Sequence, residues 1–172
     1  AIALPLHRSL RGSTVGGAND YELPGHAAAG RDVVYTFVAA AEGAYSFSVR
    51  GYLDGNLVLY ASTNCPIGSP PAIVSNLVAV ANRNSVSPAE ELFDLHLAAG
   101  QHIFLFVDDQ NAANPGTRFT IEANPCVREQ EPNNSIATAE ALPCGIEGSI
   151  SPANDIDFYA LGTFPDGYRL FA

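Results

Sequence analysis

Glu129, Glu131 and Asn133 alternate along a short stretch that contains Pro132, so an extended backbone places their oxygen-bearing side chains on one side. Further on, Asn154, Asp155 and Asp157 add hard oxygens just ahead of the aromatic pair Phe158 and Tyr159. If residues 149–157 fold beside the first stretch, the sum meets the roughly six to eight oxygens that Ca²⁺ prefers at about 2.3–2.6 Å, whereas Mg²⁺ takes fewer protein ligands. The chemistry expected is cation binding, set against the plainer role of a solvated acidic linker. Asn19 with Asp20, and Asp108 with Asp109, are the close polar-acid pairs of the earlier chain. Each is expected where a strand ends, which turn chemistry explains without a metal.

Machinery for catalysis is not assembled. The sequence has no Gly-x-Ser-x-Gly, no His-Glu-x-x-His and no glycine-rich phosphate loop, so the chain is expected not to be an enzyme. His7 and His26 fall in loops, while His96 and His102 flank Gly100, either facing one another across a hairpin or standing as two exposed strand histidines. Cys65, Cys126 and Cys144 lack Cys-x-x-Cys spacing, which leaves zinc and thioredoxin-type chemistry unsupported. Cys126 and Cys144 each follow a proline and bracket the acidic stretch. A disulfide between them would close a loop of about 19 residues, contribute ~3 kcal/mol in the chain-entropy model and imply an oxidising compartment. Cys65 is then a free thiol, unless it takes Cys126 or Cys144 as its own partner. Asn133, Asn134 and Ser135 also spell a glycosylation sequon.

The elements that must position these groups are strands. Residues 32–38, 44–49, 56–60, 77–80, 91–97, 101–107 and 117–122 are short β-type runs separated by Gly, Pro and Asn turns, which predicts a sandwich. Tyr45, Phe47 and Val49 alternate with Ser46 and Ser48, the period of a strand buried on one face. Residues 102–107 are apolar on both faces, as a central strand is when something covers both sides. Residues 6–14 offer a further edge strand. The chain has 172 residues, 47% of them hydrophobic, and a formal charge of −10 from 8 Arg against 18 Asp plus Glu. That field repels nucleic acid and anionic membrane, and suits calcium or a basic partner. No run approaches the ~18 apolar residues of a membrane span. The first ten residues carry no secretion signal, and the lack of any Met reads as a processed product or fragment.

Composition shifts at residues 124–134, where prolines and alternating charge interrupt the strands, and a domain boundary is placed there. Residues 135–142 are expected to hold two helical turns, followed by strands near residues 146–150 and 158–161. Tyr35, Phe37 and Gly43 match Tyr159, Leu161 and Gly167 at a constant offset of 124, a weak internal repeat.

The stretch from Glu129 through Pro132, Asn133 and Asn134 to Leu142, followed by Gly148, Ser149, Asp155, Asp157, Phe158 and Tyr159, resembles the opening of bacterial pre-peptidase C-terminal domains. The collagen-binding domains of clostridial collagenases look similar. The earlier chain resembles a divergent member through residues 16–21, Tyr35 and Phe37, Gly43 with Tyr45, Leu57 with Tyr60, and Gly100 before residues 104–107. The resemblance implies an all-β, jelly-roll-like antiparallel β-sandwich over residues 1–124, an acidic linker at 125–134, and the start of an incomplete second β-sandwich at 135–172. It also implies a calcium ligand set of Glu129, Glu131, Asn133, Ser149, Asn154 and Asp157. Asn154 stands where relatives have an acid, and Asp155 is the neighbouring substitute. Relatives often carry a second cysteine on the strand after Cys65, and residues 79–82 have none.

The function implied is an accessory module, secreted or at the cell surface, that serves a larger extracellular protein as a binding, spacer or folding element. Its partner would be that parent protein, or a protein or polysaccharide ligand met by outward-facing tyrosines among Tyr21, Tyr45, Tyr52 and Tyr60. A truncated second sandwich exposes unpaired edges, which gives a rival reading: a subunit of an extracellular assembly that self-associates by strand exchange. A regulatory fragment of a secreted peptidase is the third.

Overall fold

The computed structural model describes residues 1–26, 28–52, 57–82, 89–110, 112–113, 115–141, 146–147 and 155–160. The chain divides into two compact units, Ala1–Pro125 and Cys126–Ala172. No helix among the described residues is long and apolar enough to cross a membrane.

The first unit contains strands β1 (Ile2–Ala3), β2 (Leu10–Ser13), β3 (Tyr21–Glu22), β4 (Asp32–Val38), β5 (Gly43–Gly51), β6 (Leu57–Ser62), β7 (Ala72–Ile73), β8 (Leu77–Ala81), β9 (Ala89–Leu97), β10 (His102–Asp109) and β11 (Arg118–Pro125). They form a five-stranded sheet in the order β1-β4-β10-β6-β8 and a four-stranded sheet in the order β2-β11-β5-β9. From β4 to β11 the chain passes repeatedly from one sheet to the other, so the architecture is a jelly-roll-like sandwich. Pairing is antiparallel in both sheets except at β1, which runs parallel to β4 and sets Ile2 against Tyr35.

Alternation fixes which side chains meet between the sheets. Tyr35 and Phe37 of β4, Phe47 and Val49 of β5, Leu105 and Val107 of β10, and Phe119 and Ile121 of β11 are all buried in one core. Phe37 meets Tyr45 and Phe47 edge-on, with ring centroids 5.3 and 5.0 Å apart, contacts worth roughly 0.5–1.5 kcal/mol each beyond area burial. The other face of the five-stranded sheet is also covered. Tyr60, Val58 and Phe106 pack there with Leu23, Ala28 and Val74 from the connecting segments. Tyr60 and Phe106 stack with centroids 4.9 Å apart, and Tyr21 meets Phe106 edge-on at 5.1 Å. This second cluster explains the two-sided apolar run expected at residues 102–107, and it leaves every residue of β6 buried.

Of the two placements open for His96 and His102, the structure shows two exposed strand histidines and no pair across a hairpin, because the Gly100 turn carries the chain from one sheet to the other. His96 lies opposite Ala44 on β5, while His102 lies opposite Val38 on β4. Asp108 and Asp109 stand at the end of a strand, as expected, but the explanation by turn chemistry is corrected: they are the last two residues of β10, and both are fully buried.

In the second unit, β12 (Val127–Arg128) is followed by one 3₁₀ turn at Ile136–Thr138, then β13 (Glu140–Ala141), β14 (Ile146–Glu147) and β15 (Tyr159–Ala160). The pairs β12 with β14 and β13 with β15 both run parallel. Ser135 starts the turn through a capping box, accepting from Thr138 N while the Thr138 hydroxyl accepts from Ser135 N. The two helical turns expected here are cut to one, because Glu140 N is taken by the Phe158 carbonyl at 3.0 Å and the chain enters β13.

Candidate functional site

The described residues bring one group of possible metal ligands together: Glu129, Glu131 and Asp157, whose carboxylate oxygens lie within 4.8 Å of one another. Backbone pairing produces this convergence. Phe158 N donates to the Asn133 carbonyl at 3.1 Å, which lays the segment bearing Asp157, just ahead of β15, beside the Glu129–Asn133 stretch. Gln130 N donates to Glu140 Oε2 at 2.8 Å, which ties the stretch to β13, and within it Asn133 N donates to Glu131 Oε2 at 3.1 Å. The Glu131–Pro132 peptide is cis.

Asn133 is fully buried, and neither its Oδ1 nor its Nδ2 has a hydrogen-bond partner. Asp157 Oδ1 is likewise buried and unpartnered. Buried polar atoms are nearly always satisfied, so orphaned oxygens on adjoining residues mark a place where something positive or protonated belongs. The burial of Asn133 also removes its side chain from the surface that a glycosylation sequon requires.

Electrostatics follow from the crowding. Burial, and then the charges of Glu129 and Asp155, raise the Asp157 carboxyl above its usual range. The Tyr159 hydroxyl donates to Glu129 Oε2 at 2.5 Å, and that bond is the main reason its phenol is pushed up to about 12. Sequence reasoning did not find Tyr159 or Glu140 as partners, although Tyr159 falls two residues beyond Asp157 and so shares its side of the strand.

Of the other expected ligands, Asp155 stands outside the converging group. Its Oδ1 accepts from Asn134 Nδ2 at 2.8 Å and from Ile156 N at 3.0 Å, so that oxygen is taken up locally. Ser149 and Asn154 lie outside the described residues. So does Cys144, and with it the expected bridge to Cys126. No disulfide occurs among the described residues, and Cys65 carries a free thiol that donates to the Tyr21 hydroxyl at 3.4 Å.

The first unit holds a second set of acids, of which the sequence showed Asp108 and Asp109 but neither Asp32 nor the threonine partners. Asp109 accepts from Thr14 Oγ1 at 2.5 Å and from Thr117 Oγ1 at 2.8 Å, and Thr117 N donates to Thr14 Oγ1 at 2.7 Å. Asp32 Oδ2 accepts from the backbone of Asp20 and Tyr21 at 2.7 and 2.9 Å. These bonds seal the 14–32 segment and both ends of the 109–117 connection.

No protein-family model matches the sequence, and no curated protein matches it. Among solved structures, the chain is similar to the pre-peptidase C-terminal domain of collagenase from Bacillus anthracis, at 15% identity and a TM-score of 0.49, with 71% of this chain and 92% of that one covered. It is also similar to PliG of Aeromonas hydrophila, a periplasmic lysozyme inhibitor of g-type lysozyme, at 14% identity and a TM-score of 0.37, with 71% and 93% covered.

Proposed function

We propose that the chain is a noncatalytic accessory module of a larger extracellular protein, whose second unit is fastened by a calcium ion at the Glu129, Glu131 and Asp157 carboxylates. The observation that carries this reading is the convergence of those carboxylates beside the orphaned side chain of Asn133. Three like charges at that spacing repel one another, and a divalent cation relieves the repulsion while satisfying the buried oxygens. The three carboxylates, with the unpartnered Asn133 Oδ1 as the proposed fourth ligand, make a hard-oxygen set without sulfur or imidazole, suited to Ca²⁺ rather than Zn²⁺ or Cu²⁺. Ser149 and Asn154 would complete the shell. A Cys126–Cys144 bridge would close the loop that carries the liganding stretch, consistent with a secreted or cell-surface location.

Thermal melting in calcium and in chelator tests the reading. Calcium at about 100 times its Kd should stabilise the liganded unit by ~2.7 kcal/mol. An unchanged melting profile in millimolar calcium would remove the cation from the proposal. Mass measurement under non-reducing conditions tests the bridge, and size-exclusion chromatography separates a monomeric module from strand-exchanged copies.

A further inference from the structure

A groove of about 490 Å³ opens at the edge of the first unit, where β1 and β2 are the edge strands of the two sheets, and it is lined by Ile2, Arg11, Ser13, Tyr35, Tyr52 and Arg118 among others. That size lies within the ~300–1,000 Å³ of small-ligand sites. Its charge runs against that of the chain. The sequence has a formal charge of −10 and not one lysine, yet two of its eight arginines meet in this groove.

Neither guanidinium is used by the fold. The side chains of Arg11 and Arg118 make no hydrogen bond or ion pair among the described residues. Arg31 differs, since it donates to the Pro115 carbonyl. The sheet register places them deliberately. Arg118 sits opposite Ser13, and Arg11 sits opposite Thr120, so both arginines share one face on neighbouring strands. Arg50 lies opposite Thr120 on the other side, which brings a third guanidinium to the same face. Tyr52 N donates to the Arg118 carbonyl at 2.9 Å, fixing the tyrosine beside that arginine.

Tyr52 is also the outward tyrosine. Tyr45 and Tyr60 are buried in the two hydrophobic clusters and Tyr21 is half-buried, while Tyr52 is 53% exposed. An exposed aromatic ring offers a flat apolar face to the C–H face of a sugar, and the arginine forks match carboxylate or sulfate oxygens bidentately. We propose that this groove binds an acidic saccharide, with Arg11 and Arg118 pairing its carboxylate or sulfate groups and Tyr52 stacking on a ring. The assignment gives a ligand class to the accessory-module reading and rests on that reading, but it does not involve the cation of the second unit.

The test is calorimetric titration of the full chain with a short oligouronate, a sulfated oligosaccharide of equal length, a neutral oligosaccharide and a glutamate-rich peptide, each in calcium and in chelator. One or both acidic saccharides should bind, and whichever binds tighter tells carboxylate from sulfate. Arg118→Ala and Tyr52→Ala should each weaken binding by roughly tenfold or more, and Arg118→Lys should recover only part of it. Arg8→Ala removes the same charge outside the groove lining and should leave the affinity unchanged. The proposal is overturned if the neutral saccharide binds as well, if the peptide binds better than both acidic saccharides, if neither acidic saccharide binds, or if Arg8→Ala weakens binding as much as Arg118→Ala. Saccharide binding that persists while calcium leaves the melting profile unchanged removes the cation and keeps the groove; the reverse result removes the groove alone.

Discussion

Asp32 and Asp108 stand directly opposite one another on antiparallel neighbours β4 and β10, both buried on the face of the sheet turned away from the inter-sheet core. Asp108 Oδ2 accepts from the Tyr60 hydroxyl at 3.2 Å, while its Oδ1 is buried without a partner. Burial pushes the Asp32 carboxyl up to about 6 against the pull of two backbone donors. Burial and the charge of Asp32 push Asp108 up to about 8.

The sign of the pH dependence follows. Both folded values exceed the unfolded value of about 3.9, so the folded chain holds protons that the unfolded chain has released. The stabilisation is fully present below the unfolded value and is lost as pH rises through about 6 and about 8. In chelator, the melting temperature of the first unit should fall by about 5 °C or more between roughly pH 5 and pH 8.5. Asp108→Asn, which fixes the neutral form, should raise the melting temperature at the alkaline end and flatten the profile. A wild-type melting temperature that climbs over this range would contradict the account.

Thr14 and Thr117 share the carboxylate of Asp109 inside the fold. Thr14→Val removes a hydroxyl that both donates to Asp109 and accepts from Thr117 N, leaving buried polar groups short of partners. The expected cost is ~2–4 kcal/mol by urea denaturation, whereas Thr14→Ser, which keeps the hydroxyl, should cost about 1 kcal/mol or less. Equal losses in the two variants would assign the effect to packing.

What could be read from the sequence was what repeats locally. The alternation of Tyr45, Phe47 and Val49 predicted β5, and the run at residues 32–38 coincides with β4, because period-2 burial is written residue by residue. Ile2 lies parallel and opposite to Tyr35 in the first unit and Glu140 to Tyr159 in the second, while Leu161 and Gly167 of the weak repeat lie outside the described residues. Pairings between distant residues left no such trace. Asp108 beside Asp109 looked like a turn, since nothing local announces that Asp32, Thr14 and Thr117 arrive around them. The linker acids were visible because Glu129, Glu131 and Asn133 are themselves periodic, but Tyr159 on Glu129 and Glu140 on Gln130 N depend on how the strands dock. Arg11 and Arg118 are 107 positions apart, and only sheet register makes them neighbours.

Gly30 lies where two backbones touch. Its N–H donates to the Asp109 carbonyl at 2.9 Å, and a Cβ at this position would overlap that same carbonyl and the Asp109 Cβ. The obstacle is backbone, which cannot rotate aside as a side chain can. Gly30→Ala should therefore destabilise the first unit by ~2–4 kcal/mol in denaturant melts, far from the small gain that Gly→Ala brings at unstrained sites. Gly43→Ala, where a Cβ meets open space, is the control and should change stability by less than about 1 kcal/mol.

Asp157 distinguishes a cation site from a merely acidic surface by a change of sign. Without calcium its carboxylate adds repulsion to Glu129 and Glu131 and suffers burial, so Asp157→Asn should stabilise the second unit slightly in chelator. With calcium bound, the same substitution removes a charged ligand and weakens affinity, so the variant should melt below the wild type once calcium is saturating for the wild type. Glu129→Gln should behave alike, with an added loss from the weakened bond to the Tyr159 hydroxyl in both conditions. The measurement is a pair of melting curves for each variant, in chelator and in calcium, monitored by hydrogen exchange at the amides of residues 129–133 and 155–160. A substitution that stabilises equally in both conditions marks these acids as a repulsive cluster without an ion, and a crossing of the two orders marks a bound cation.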